Sequence, residues 1–281
     1  MQITVLSGKG GTGKTTVATN LALSLDNVQL LDTDVEEPDD YIFIKPDFDK
    51  SYEAVVEDVP LFDRDKCTAC RKCVDFCEYN ALSLVREQVK VFYDICHSCG
   101  GCWRICPEGA ISKKSRERGK IRGTQVSKQL EFWQGELNIG EQSAVPVISQ
   151  LKKHIKQDKN VLIDAPPGTT CPTIEALTGS DYCLLVTEPS PFGLNDLKMA
   201  IEIVQQIDIS FGVVINRSQR EYDVIIEDYC QKEEIQVLFK IPYERTIAEL
   251  YSAGIPFIEE KTDWKDKFKS LFARIKEEVG Q

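Results

Sequence analysis

Residues 7–16, Ser7-Gly8-Lys9-Gly10-Gly11-Thr12-Gly13-Lys14-Thr15-Thr16, constrain this chain more than any other stretch. An apolar run, Ile3-Thr4-Val5-Leu6, leads in, and a stretch of helical character, Val17 to Leu25, follows. Strand, glycine loop and helix in that order are the context a phosphate-binding loop needs. Gly8 through Thr15 fits G-x-x-x-x-G-K-[ST]. Gly8, Gly10, Gly11 and Gly13 let backbone N–H groups, those of Thr12 and Thr16 included, converge on phosphate oxygens, and the helix N-terminus adds partial positive charge. Lys14 is expected to reach the β- and γ-phosphates and the Thr15 hydroxyl to sit on Mg²⁺.

The chain of 281 residues is long enough for one large α/β domain or about two domains. Its net charge of −11 argues against general nucleic-acid binding, which favours a basic surface. Met1 opens almost directly into a strand, so neither a secretory h-region nor a transit peptide is expected. No apolar run approaches the ~18–20 residues that span a bilayer, and the expected location is the cytoplasm. In that compartment reducing thiol pools disfavour disulfides, so the 11 cysteines point first to metal or cluster ligation.

Lys9, directly after the first glycine, is unusual for such a loop. GKGGTGKTT resembles the deviant phosphate loop of the MinD, ParA and nitrogenase-iron-protein superfamily. The resemblance implies an ATP-dependent homodimer in which Lys9 reaches the partner's nucleotide. Val28-Gln29-Leu30-Leu31 ends in Asp32-Thr33-Asp34, and LLDTD resembles the switch I segment of the same family. Asp34 then matches the aspartate that orients the attacking water, and Asp32 lies near the metal shell. Glu36, Glu37, Asp39 and Asp40 read as an acidic loop. Val161-Leu162-Ile163-Asp164 followed by Ala165-Pro166-Pro167-Gly168 resembles the family's Walker B and switch II. The resemblance implies that Asp164 holds Mg²⁺ through water, that the Gly168 N–H senses the γ-phosphate, that Asn216 reads the adenine edge, and that Pro242 packs near the base.

Between those halves the texture changes. Cys67, Cys70, Cys73 and Cys77 make C-x2-C-x2-C-x3-C, and Cys96, Cys99, Cys102 and Cys106 repeat it 29 residues later. Each copy ends in a matching tail, Asn80-Ala81-Leu82 and Gly109-Ala110-Ile111. This duplication resembles the bacterial two-cluster ferredoxin, in which the fourth cysteine ligates the other cluster. The crossing implied is Cys67, Cys70, Cys73 and Cys106 for one [4Fe–4S] cluster, and Cys96, Cys99, Cys102 and Cys77 for the other. Pro107 follows the second copy, whereas Glu78 stands in that place after the first. Zinc, the competing ligand for C-x2-C pairs, fits the doubled spacing less well.

The basic run Lys113 to Arg122 reads as a solvated hairpin, with a docking patch for an acidic redox partner as the sharper alternative. Leu130 to Gly140 reads as another hairpin. Cys171, seven residues after Asp164, has a spacing similar to a cluster cysteine of the nitrogenase iron protein, but reads as structural for want of a second cysteine. Trp264, Phe268, Leu271, Phe272, Ile275 and Val279 share one helical face, expected to pack on the sheet rather than on a membrane.

Alternating strands and helices predict an α/β fold, a doubly wound and mostly parallel sheet. The expected organisation is an ATPase domain at 1–57 and 113–281 with a ferredoxin-like α+β module inserted at 58–112. The first functional expectation is an ATP-gated homodimer, Mg²⁺-dependent in hydrolysis, coupling nucleotide state to electron transfer through two [4Fe–4S] clusters to a client protein. A carrier that delivers clusters or metal to a client, and a MinD-type positioning ATPase with structural clusters, are the alternatives.

Overall fold

A computed structural model describes residues 1–280. The chain opens with β1 (Gln2–Leu6), α1 (Lys14–Ser24), β2 (Val28–Asp32), α2 (Asp40–Ile44) and β3 (Glu53–Phe62). The cysteine-bearing stretch holds α3 (Lys72–Phe76), β4 (Leu82–Val85), β5 (Gln88–Val91) and α4 (Gly101–Ile105). Then come β6 (Ile111–Gln125), β7 (Leu130–Leu137), α5 (Val145–Lys152), β8 (Asn160–Asp164), α6 (Cys171–Leu177), β9 (Tyr182–Thr187) and α7 (Pro191–Gln206). The chain finishes with β10 (Ser210–Ser218), α8 (Arg220–Lys232), β11 (Val237–Pro242), α9 (Arg245–Ser252), α10 (Phe257–Glu260) and α11 (Asp263–Val279).

Among the described residues, nine strands make one sheet in the order β11-β10-β9-β1-β8-β2-β7-β6-β3. Every pairing from β11 across to β7 is parallel, and β6 and β3 add antiparallel at that edge. The inner strands are apolar on both faces because helices cover both. On one face Ile3, Val5 and Leu30 pack with Val17 and Leu21 of α1, Phe257 of α10 and Phe268 of α11. On the other, Val161 and Ile163 pack with Val147 of α5, Leu177 of α6 and Leu197 of α7. The expected doubly wound, mostly parallel sheet is the fold observed. The apolar face of α11 is buried against α1 and the sheet, as its spacing predicts. No helix among the described residues is long and apolar enough to cross a membrane.

The two expected hairpins are in fact one. Residues 113–122 lie within β6, paired with β3 on one side and with β7 on the other. Leu130–Leu137 is a single strand that also pairs parallel with β2. The reason is burial: β2 needs a second neighbour, and β7 supplies Phe132, fully buried under α1. The basic run is mostly neutralised within the chain rather than displayed. Lys113 meets Asp58 at 3.0 Å, Lys120 meets Glu136 at 2.9 Å, and Arg116 meets Asp94 at 2.6 Å.

Phe62 and Ile111 are register partners at the far end of the β3–β6 ladder. The stretch between them has a small core of its own, Cys73, Leu82 and Ile111, against which Trp103, Val89 and Phe62 pack. The parallel strands bring their carboxyl ends together toward that same end of the sheet. Asp32 of β2 pairs in register with Asp164 of β8, and Thr33 donates its N–H to the Asp164 carbonyl at 2.9 Å. The crevice outside those ends is where open α/β sheets bind ligands.

Candidate functional site

The glycine loop leaves β1 and enters α1 through Gly13, whose φ of 96° is the left-handed region that favours glycine. A Cβ there would stand 2.1 Å from Asn216 Nδ2, and one on Gly8 would stand 2.1 Å from the Asp196 carbonyl oxygen. Neither position has room for a side chain. No side chain caps the first turn of α1, so its N–H groups are free to meet an anion. They face a cavity of about 450 Å³. Gly10, Gly11, Gly13, Lys14, Thr15 and Thr16 line one wall; Asn216, Arg217, Pro242 and Tyr243 line another; Asp34, Glu37 and Asp39 close a third.

Below the loop, carboxylates crowd one ammonium. Lys14, 7% exposed, has Nζ 3.9 Å from Asp34 Oδ2. The Thr15 hydroxyl lies 2.8 Å from Asp164 Oδ2 and 2.9 Å from Asp39 Oδ1, and its single proton cannot serve both. Asp32 accepts backbone N–H groups of Asp34, Asp39 and Asp40 at 3.1–3.2 Å. Both carboxylate oxygens of Asp40 and Oδ1 of Asp164 are buried without a partner. Burial pushes the Asp32 and Asp40 carboxyls well above the usual range, with Asp164 the next contributor in each case. Burial also raises Asp34 to about 7 against the pull of Lys14, and Asp164 to about 6 against Lys14 and Thr15. Buried carboxylates with orphaned oxygens, all hard ligands, fit a divalent cation such as Mg²⁺. Asp32, Asp39 and Asp40 each offer an oxygen within 4.8 Å of the others.

Four expected residues already have partners within the chain. Lys9 does not line the cavity; its Nζ pairs with Glu188 at 3.3 Å and Asp196 at 3.6 Å and lies over the Phe192 ring. The Gly168 N–H donates to the Ser7 carbonyl at 3.0 Å. Thr12 is buried, and its carbonyl accepts from Asn216 Nδ2 at 2.8 Å. Asn216 therefore lines the cavity with its amide already engaged by the loop. Asp39, Tyr243 and Tyr251 also line it. Asp39 was legible only as one of several loop acids, and nothing in the spacing of the two tyrosines sets them apart.

Eight of the 11 cysteines fall into two groups of four. Cys77, Cys96, Cys99 and Cys102 surround one cavity with Phe76, Leu82 and Trp103. Cys67, Cys70, Cys73 and Cys106 surround a second with Phe62, Val89 and Pro107. Burial pushes the Cys102 thiol up to about 11 and raises that of Cys73, so bare thiolates are costly there. Four soft sulfur donors around each apolar cavity fit a cubane iron–sulfur cluster. Cys171 is exposed at the start of α6, whereas Cys183 and Cys230 are buried and their thiols raised by burial.

Comparisons place these features among known proteins. A family profile described as the CobQ/CobB/MinD/ParA nucleotide binding domain matches residues 3–257. The chain is 31% identical over 265 residues to Uncharacterized protein MJ0579 of Methanocaldococcus jannaschii, covering 92% of each. It is 24% identical over 278 residues to the iron-sulfur cluster carrier protein of Pyrococcus horikoshii, covering 92% of this chain and 79% of the other. Among solved structures, the septum site-determining protein MinD of Pyrococcus horikoshii, complexed with Mg-ADP, matches at a TM-score of 0.59 and 21% identity. That match covers 99% of this chain and 95% of the other.

Proposed function

Since the chain belongs to the CobQ/CobB/MinD/ParA nucleotide-binding family, we propose that it is an ATP-hydrolysing iron–sulfur protein whose nucleotide state is coupled to electron transfer through two [4Fe–4S] clusters. The observation that carries this reading is the division of eight cysteines into two four-thiol cavities within a chain that also has a phosphate loop. On this reading residues 1–57 and 113–281 are the ATPase domain and 58–112 the inserted ferredoxin-like module. When bound, clusters of this kind supply one-electron storage at potentials set by their surroundings.

In the nucleotide site, N–H groups of the loop from Gly8 to Thr16 hold the phosphates and Lys14 neutralises their charge. Thr15, Asp32 and Asp164 would hold Mg²⁺, which offsets the repulsion among the buried acids. Asp34 orients the attacking water, and the Gly168 N–H meets the γ-phosphate after leaving Ser7. Asn216 and Pro242 contact the base. Lys9 must release Glu188 and Asp196 before it can serve the nucleotide of a second copy, so ATP binding and homodimer formation belong to one step.

A second reading, an ATP-switched carrier that gives up a cluster to a client, is favoured by the printed name of the Pyrococcus horikoshii relative and by the exposure of Cys70 and Cys99. One experiment tests both. Protein purified without oxygen is assayed for iron and sulfide, then mixed with redox and apo-client proteins with and without ATP. Client reduction with clusters retained supports the first reading, and cluster loss to the apo-client supports the second. Absence of iron and sulfide overturns both.

A further inference from the structure

We propose that Arg118 of β6 is a positioning residue for the cluster held by Cys77, Cys96, Cys99 and Cys102, and that its charge sets the potential of that cluster. The inference rests on the reading of that cavity as a [4Fe–4S] site. Arg118 exposes 3% of its surface, although it sits in a run that otherwise faces water or pairs at the surface. A guanidinium has five N–H donors in a fixed plane. Here all five have acceptors. Nη2 donates to the Cys96 carbonyl at 2.6 Å and to Ser98 Oγ at 3.0 Å. Nη1 donates to the Tyr93 carbonyl at 3.2 Å and to Glu141 Oε2. Nε donates to Glu57 Oε2 at 3.2 Å.

Three of the five acceptors belong to residues 93–98, the segment that carries Cys96 and leads to Cys99. Ser98 stands at a φ of 51°, a strained conformation for a residue with a Cβ, and its hydroxyl is held by the guanidinium. The remaining two acceptors, Glu57 on β3 and Glu141 after β7, belong to the sheet and its loops. One side chain thus fastens a cluster-bearing segment to the main sheet. The second cavity, with Cys67, Cys70, Cys73 and Cys106, has no such contact with Arg118.

A buried cation beside a cluster favours its reduced, more negative form. Removing it leaves the Glu141 side chain, 4% exposed, with Arg116 as its remaining cationic partner and pushes the same way. The structural alternative is that Arg118 only secures the fold, in which case neither potential depends on its charge.

The test is redox titration of each cluster in the full-length protein, prepared without oxygen, with paramagnetic resonance distinguishing the two. Arg118→Gln is expected to lower the reduced-to-oxidised ratio of the Cys96 cluster about tenfold at an ambient potential within its transition, about 59 mV for one electron. Glu141→Gln should move it in the opposite sense. Arg118→Lys keeps the charge without the planar fork and should give a smaller shift than Arg118→Gln. The Cys67 cluster should change less than about twofold in reduced-to-oxidised ratio, or roughly 18 mV on the same conversion. Equal movement of both clusters, movement in one direction for both Gln substitutions, or no movement overturns the inference. Should Arg118→Gln fail to fold, the other two substitutions still decide it. Unaltered protein without iron and sulfide would overturn the underlying reading as well, whereas two intact clusters indifferent to Arg118 overturn this inference alone.

Discussion

Lys14 Nζ and Asp34 Oδ2 stand 3.9 Å apart, and neither side chain is more than 18% exposed. The two groups a nucleotide would meet at its terminal phosphate are thus already paired with each other. On the proposed reading, a phosphate entering the loop would compete with Asp34 for the ammonium and free that carboxylate to engage water.

Lys14→Ala and Asp34→Ala should therefore separate binding from turnover. Loss of Lys14 removes a charge-assisted contact of about 2 kcal/mol, weakening ATP binding roughly 30-fold. Asp34→Ala should still bind ATP and accumulate as a closed dimer, since only water orientation is lost. Nucleotide titration and size-exclusion chromatography with ATP and Mg²⁺ check both, and an Asp34→Ala protein with full hydrolysis would remove Asp34 from its assigned role.

Crossed ligation gives a second expectation. Cys77→Ser should damage the cluster shared with Cys96, Cys99 and Cys102 and spare that of its sequence neighbours Cys67, Cys70 and Cys73. Iron content near eight per chain in the parent, on the order implied by two cubanes, is the starting condition. Spectra showing loss of the neighbours' cluster would reverse the assignment.

The sheet also has a titratable fastening away from both sites. Burial alone would raise the Glu131 carboxyl, but hydrogen bonds from Lys156, Lys159 and Trp133 Nε1 outweigh it and hold the group down at about 2. A depressed carboxyl stabilises the folded state above its unfolded value of 4.5, and the contribution is lost as pH falls from there toward 2. The size is about 3 kcal/mol at pH 7. Urea unfolding followed by circular dichroism should show Glu131→Gln less stable by about that amount at pH 7, with the gap closing below about pH 4.5. A gap independent of pH would mean that packing rather than charge is at stake.

The proposed coupling between nucleotide and cluster would run through two backbone hydrogen bonds. The Leu137 N–H donates to the Val35 carbonyl at 2.7 Å, just after Asp34, and the Asn138 N–H donates to the Arg118 carbonyl at 2.9 Å. On the proposed reading, a rearrangement around Asp34 would reach Arg118 through these two bonds. Redox titration without nucleotide, with ADP, and with a non-hydrolysed ATP analogue should give different potentials for the Cys96 cluster. Linkage then requires reduction to change ATP affinity by the same free energy, tenfold for about 59 mV. Potentials unchanged within roughly 10 mV would leave less than about 0.25 kcal/mol of coupling and favour cluster delivery instead.

Legibility in the sequence followed how local the information is. The phosphate loop, LLDTD and the strand ending at Asp164 could be read because each motif lies on a buried parallel strand with a continuous apolar run. The cysteine grouping came from spacing and resemblance, and the same groups surround the two cavities. β6 and β7 read as separate hairpins because their pairing partners β3 and β2 lie far away in sequence, while their polar residues resemble those of a solvated ribbon. Arg118 looked like its neighbours, and its partners Glu57 and Glu141 lie far from it in sequence. The internal pairing of Lys9 was hidden for the same reason, since Glu188 and Asp196 reach it only through the folding of β9 and α7.

The register partnership of Phe62 and Ile111 has an architectural consequence. All the chain between them departs from and returns to one rung of a two-stranded ladder, so the sheet does not need what hangs there in order to close. A short turn grafted across that rung, in place of 63–110, would convert β3 and β6 into an ordinary meander with β7. The same rung, transplanted to another sheet, could present the cysteine-bearing loop as a cassette. A fold with such an attachment can gain or lose a cysteine-bearing segment in a single splice, without redesign of the sheet that supports it.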